Sequence, residues 1–100
     1  VLEGEGAYRL GADSFPVKAG DLMAAPAGGP ETAHQLANTG SGPLRYIVFS
    51  TRNDPDVMVY PDSDKFMVAA GVPEGGGGMS AAFHFIGRRD GAVDYYDGEE

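Results

Sequence analysis

Apolar positions along this chain come in short runs, and glycine, proline, aspartate and asparagine stand between them. Runs of that length suit β-strands and fall short of the roughly ten to twelve residues of an ordinary helix. AYRL (residues 7–10) lies between the turn signals GEG and GAD, and SFPVKAG follows as a second extended piece ending at Gly20, which predicts a hairpin. LMAAP (22–26) and AHQLAN (33–38), the latter closed by TGSG, predict a second hairpin. PLRYIVFST carries Ile47, Val48 and Phe49 in succession and is read as the core-anchoring strand, buried on both faces. Beyond Arg52, VMVY between the acidic turns NDPD and YPDSDK predicts a strand, and KFMVA beyond them a further short one. VPEGGGGMS has no periodicity, so 70–82 is expected to be a flexible loop, and 83–100, with FHFIG and VDYY, an edge strand or a C-terminal arm.

Composition strengthens the β reading. Sixteen glycines and seven prolines in 100 residues weaken helix interiors and favour tight turns. A chain of this length makes one domain, here residues 1–100, and short strands joined by Gly and Pro turns predict an all-β jelly roll or small barrel. Seven Lys and Arg against fifteen Asp and Glu give a formal charge of −8, which repels phosphate backbones and anionic membranes, so direct nucleic-acid binding is not expected. No apolar run approaches the roughly 20 residues that span a bilayer, and the start lacks a signal-peptide pattern. The absence of cysteine excludes disulfides, thiolate metal sites and a cysteine nucleophile, and it fits a cytoplasmic location.

The chemistry-bearing residues are few. His34 is either a satisfied core histidine, a surface residue or one ligand of a metal. Period-2 alternation sends Leu36 and Asn38 to its face, so Leu36 is a candidate cavity residue. Tyr8, Arg45 and Tyr46 are polar groups on nearby strands that could meet an anionic or hydroxylated ligand or could face solvent. His84, between two phenylalanines, is read as structural. Asp54, Asp56, Asp62 and Asp64 form a solvated acidic stretch or a weak cation site. The GGGG run lacks the Lys-Ser/Thr of a phosphate loop, DSDKF lacks the glycine and distant Glu of a calcium loop, and GSG lacks the spacing of a nucleophile elbow.

The spacing Gly20, five residues, Pro26, one residue, Gly28, then His34, three residues, Asn38 resembles the second conserved motif of the cupins. The family pattern has two residues between its second glycine and the histidine; here GPETA makes that gap three residues longer. VLEGEG resembles the end of the first cupin motif, with Gly4 closing a strand. The tail, with YPDSDK and DYYDGEE, resembles small single-domain bacterial cupins, some of them sugar-phosphate isomerase-like and some sensory halves of regulators. The resemblance implies a cupin jelly-roll β-barrel, incomplete at its N-terminus, of which this sequence is the C-terminal two-thirds. It implies that His34 is a metal ligand and that the other ligands, His-x-His and Glu, lie upstream of Val1. A divalent metal (Zn, Mn, Fe or Ni) is then expected in the complete protein, with Gly20, Pro26, Gly28 and Asn38 shaping turns at the pocket mouth. The function so implied is binding of a metal and a small sugar-like or carbonyl compound, with isomerase-like chemistry, in a homodimer. The alternative is a non-catalytic binding or sensor module of a regulator.

Overall fold

A computed structural model describes residues 1–99. Six strands form: β1 (Glu5–Leu10), β2 (Asp13–Lys18), β3 (His34–Asn38), β4 (Asp56–Tyr60), β5 (Lys65–Ala70) and β6 (Phe83–Gly87). They make two three-stranded antiparallel sheets, ordered β2-β1-β3 and β4-β5-β6. No α-helix occurs among the described residues, only short 3₁₀ turns. The protein is all-β, as expected, and two antiparallel sheets of this kind fit an incomplete jelly roll. The chain divides into two compact units, Val1–Thr51 and the remainder from Arg52, each holding one sheet.

In the first unit β1 is the central strand. Its hairpin with β2 closes through Gly11, whose φ of 58° is left-handed and whose amide donates to the Ala33 carbonyl at 2.7 Å. A Cβ there would come 2.5 Å from the Glu31 carbonyl oxygen, so the turn takes glycine for two reasons, conformation and close approach. β3 pairs with the other edge of β1, from Gly6 opposite Asn38 to Leu10 opposite His34. The expected second hairpin is therefore absent: residues 22–26 form no strand, and Leu22 is 95% exposed. A run holding Pro26 and two alanines offers little to a ladder, whereas β3 finds an open edge on β1.

The segment expected to anchor the core also departs from the reading. Arg45 makes one bridge to Glu3, but residues 46–50 join no sheet, and Phe49 is 89% exposed. Consecutive apolar residues express a capacity for burial, and without a strand on either side that capacity is not used. VDYY likewise lies in no strand; Tyr95 and Tyr96 meet edge to face at 4.9 Å within a turn.

In the second unit β4 and β5 are joined through Pro61–Ser63 and Asp64, whose φ of 50° is left-handed, a conformation aspartate tolerates better than most residues. The segment from Gly71 to Ala82 carries a 3₁₀ turn at Gly78–Ser80 that brings Ala81 onto Met67 and Ala69, and these three are the buried cluster of this sheet. Its stretch 71–73 is tied down at two points: the Asp54 carboxylate accepts the Gly71 and Val72 amides, both at 2.9 Å, and Arg52 donates to the Val72 and Pro73 carbonyls. These two amide bonds hold the Asp54 carboxyl below its usual range, the Arg52 charge adding a smaller push in the same direction. Residues 83–87, expected as an edge strand or part of an arm, are β6, the edge strand paired with β5.

Candidate functional site

Directly opposed residues of an antiparallel ladder share a face. Register therefore puts Phe15 and Val17 of β2, Tyr8 and Leu10 of β1, and Leu36 and His34 of β3 on one side of the first sheet. The other side carries Lys18, Ser14, Arg9 and Gln35. The apolar side is where Tyr8 and Val17 are buried, with 8% and 7% of their surface exposed. Glycine at position 6 lets the Leu44 side chain and the Ala37 carbonyl approach β1 closely, since a Cβ there would press on both.

Residues 21–24 cross this side as a strap. Asp21 fixes one end: its carboxylate accepts the Lys18 amide at 2.8 Å, and its amide donates to the Lys18 carbonyl at 3.0 Å. Gly20, at φ 92°, makes the turn that precedes it. The other end is held by Tyr8, whose hydroxyl donates to the Ala24 carbonyl at 2.9 Å. Between strap and sheet lies an open cleft of about 330 Å³, lined by Tyr8, Leu10 and Phe15 to Val17 from the sheet and by Asp21 to Ala24 from the strap.

The residues between Gly28 and His34 fold as a self-contained turn. Pro30–Thr32 is a 3₁₀ turn, the Glu31 carboxylate accepts the Gly29 amide at 2.9 Å, and the Thr32 hydroxyl donates to the Gly29 carbonyl at 2.9 Å. Bonds from its own and the Gly29 amide lower the Glu31 carboxyl below its usual range. The longer spacing is thus absorbed before β3 begins, and His34 opens that strand in register. At the far end of β3, Asn38 receives the Gly40 amide at 3.0 Å and donates to the Gly42 carbonyl at 2.9 Å, which closes the TGSG turn.

His34 shares the face of Tyr8, with ring centroids 6.3 Å apart, and its ring is exposed at the sheet edge. Its Nδ1 lies 3.3 Å from the Thr32 carbonyl. Arg45 is elsewhere: its Nε sits 3.3 Å from Glu3 Oε2, with both side chains largely exposed. Tyr46 is exposed beyond it. His84, with Nδ1 3.0 Å from the Ala81 carbonyl, belongs to the second sheet. Of the sequence candidates, Tyr8 lines the cleft, Leu36 and His34 share its face of the sheet without lining the cleft, and Arg45 and Tyr46 lie outside the lining too. Phe15, Val17 and Met23 escaped the sequence reading, although counting by twos along SFPVK and pairing it with AYRL would have put Phe15 and Val17 beside Tyr8.

The fit to a metal is a question of donors. Among the described residues no three His, Asp or Glu side chains come together to hold an ion. One imidazole does not bind a divalent metal tightly, so the described donor set does not suffice for the metal centre that the resemblance implies.

A half-open antiparallel sheet crossed by a strap on one face is the architecture of a small β domain. A family model described as "Cupin domain" matches residues 1–50, the span of the first sheet and its cleft. The chain belongs to the cupin family. No curated protein and no solved structure matches it.

Proposed function

We propose that this domain binds a small carbonyl or hydroxylated compound in the cleft beneath residues 21–24 and works as a binding or sensing module. The observation that carries this reading is the cleft itself, about 330 Å³, at the lower end of the volumes that small-molecule sites occupy. Its two ionisable lining side chains, Tyr8 and Asp21, already serve the strap, which favours binding over acid-base chemistry. The lining also contains no Lys, Arg or His, so a sugar phosphate finds no counter-charge in it, and isomerase-like action on such a substrate gains no support from the lining. The test is a thermal-unfolding screen of small carbonyl and hydroxylated compounds on the full chain. A ligand at a hundred times its Kd should stabilise the native state by about 2.7 kcal/mol. Ala24→Trp, which fills the cleft, should abolish that gain; an undiminished gain in this variant would move the binding site elsewhere.

One observation favours a second reading, in which His34 lends an imidazole to a divalent metal such as Zn, Mn, Fe or Ni. A Nδ1 proton shared with the Thr32 carbonyl would fix the tautomer and leave the Nε2 lone pair outward, as in many metal-bound histidines. Titration with Zn²⁺ while watching the imidazole protons separates the readings. Saturable shifts at His34, lost in His34→Ala, support the metal; unmoved His34 signals at millimolar zinc count against it.

A further inference from the structure

The second sheet offers apolar side chains on both of its faces, and only one face is covered. Opposed residues share a face, so Met58, Met67 and Ile86 lie on the side where Ala81 closes over Met67 and Ala69, together with the polar groups of Asp56, Lys65 and His84. The other side holds no ionisable side chain: its body is Val57 and Val59 of β4, Phe66 and Val68 of β5, and Phe83 and Phe85 of β6. Val57, Val59, Phe83 and Phe85 are each more than half exposed. An antiparallel sheet with one face in water alternates apolar and polar residues, whereas strands apolar on both faces suit burial on both. This sheet lies beyond the matched residues 1–50, so membership in the family assigns it no role.

We propose that a second copy of this chain covers the open face, the two sheets stacking about a twofold axis that runs along β5. The shape of the face favours its own copy. One edge strand carries valines and the other phenylalanines, and a twofold along β5 lays β4 of each copy over β6 of the other. Val57 then stands opposite the partner's Phe85, and each large edge meets a small one, the arrangement in which packed layers interdigitate. The Phe85 ring is propped for this role: it lies over Gly87, where a Cβ would come 2.5 Å from it, and tilts against Phe66 with ring centroids 6.0 Å apart. The net charge of −8 on each copy is carried elsewhere on the surface, so no like charges are pressed together at the contact. From four side chains more than half exposed and two half-buried ones, the face offers on the order of 500 Å² per copy, and a pair buries about 1,000 Å². That is the size at which well-fitted interfaces become specific, and it makes this a weak, reversible dimer.

Sedimentation of the full chain from micromolar to millimolar concentration should show a monomer–dimer equilibrium that tightens as salt screens two like-charged copies. Val57→Lys and Phe85→Glu each set a charge against an apolar wall of the partner, at positions exposed enough to leave the far-ultraviolet circular dichroism unchanged. Each alone should weaken the dimer at least about tenfold. Mixed in equal amounts, the two variants should associate more tightly than either alone, because at one of the two contacts the new ammonium meets the new carboxylate. Phe49→Glu, at an exposed apolar residue outside this sheet, should leave the equilibrium as it was. In unsubstituted chains with mixed isotope labels, filtered NMR contacts between Val57 methyls and the partner's Phe85 ring should appear. A monomer at millimolar concentration would overturn the proposal, and so would a dimer that Phe49→Glu breaks and Phe85→Glu spares. Both single variants weakened, with no recovery in the mixture and no filtered contact, would overturn the twofold along β5.

Discussion

Two side chains hold loops in place in ways that single substitutions isolate. Tyr8 sits in the middle strand with its ring buried and its hydroxyl on the Ala24 carbonyl, so one hydrogen bond ties the strap to the sheet. Tyr8→Phe keeps the ring and removes that bond, leaving a carbonyl that water can reach. The expected cost is about 0.5–1.5 kcal/mol, with amide exchange accelerating at residues 22–25 and unchanged in β2. Asp54 does a similar task in the second unit, with one carboxylate oxygen on the Gly71 amide and the other on Val72. Its lowered proton affinity means that the native state prefers the ionised form more than the unfolded chain does. The stability this adds is complete above the ordinary carboxylate range and is lost as the pH falls through the lowered value of Asp54. The Gly71 and Val72 amide protons should therefore titrate together, with a midpoint below that of an unstructured aspartate. Asp54→Asn retains a single acceptor oxygen, so the Val72 signal should move towards its random-coil position at neutral pH.

At the scale of elements, the turns were more legible than the strands they join. Gly11, the PDSD turn and the TGSG turn each announce a reversal, and the runs beside them, AYRL, SFPVK, HQLAN, DVMVY and KFMVA, became strands. Partner choice was not legible: β3 joined β1, while residues 21–24 became a strap, because the turn at Gly20 leads the chain across the face of the sheet instead of along its edge. Residues 46–50 misled for a related reason, since three apolar residues in a row reveal nothing about whether a neighbouring strand exists. The face shared by Tyr8, Leu36 and His34 followed from alternation by twos, but the strap that makes a cleft of it rests on a side-chain-to-carbonyl bond that no periodicity encodes. Gly11 offers the check on this account of the turns. Gly11→Ala must adopt a left-handed conformation and push its Cβ against the Glu31 carbonyl, so chemical denaturation should show a loss of about 1–3 kcal/mol. An equal stability would mean that the β1–β2 connection relaxes more freely than its close contacts allow.

For the molecule as a whole, the buried apolar groups among the described residues are few: Tyr8 and Val17 in one unit, Met67, Ala69 and Ala81 in the other. The membership in the cupin family was legible from the Gly20-to-Asn38 spacing, and so was the all-β class, because both depend on turn residues whose conformational demands are local. The sparse core was not legible, since the same apolar count is compatible with deep or shallow burial. Among these few buried groups, the placement of Tyr8 has a practical consequence. The chain has no tryptophan, so its ultraviolet emission comes from five phenols, and Tyr46, Tyr60, Tyr95 and Tyr96 are all open to solvent. Iodide, an anion that finds no counter-charge among the side chains lining the cleft, should quench those four and leave a residual glow that belongs to position 8 alone. Anything that enters the cleft then reports itself without a label, as a change in that last unquenched signal.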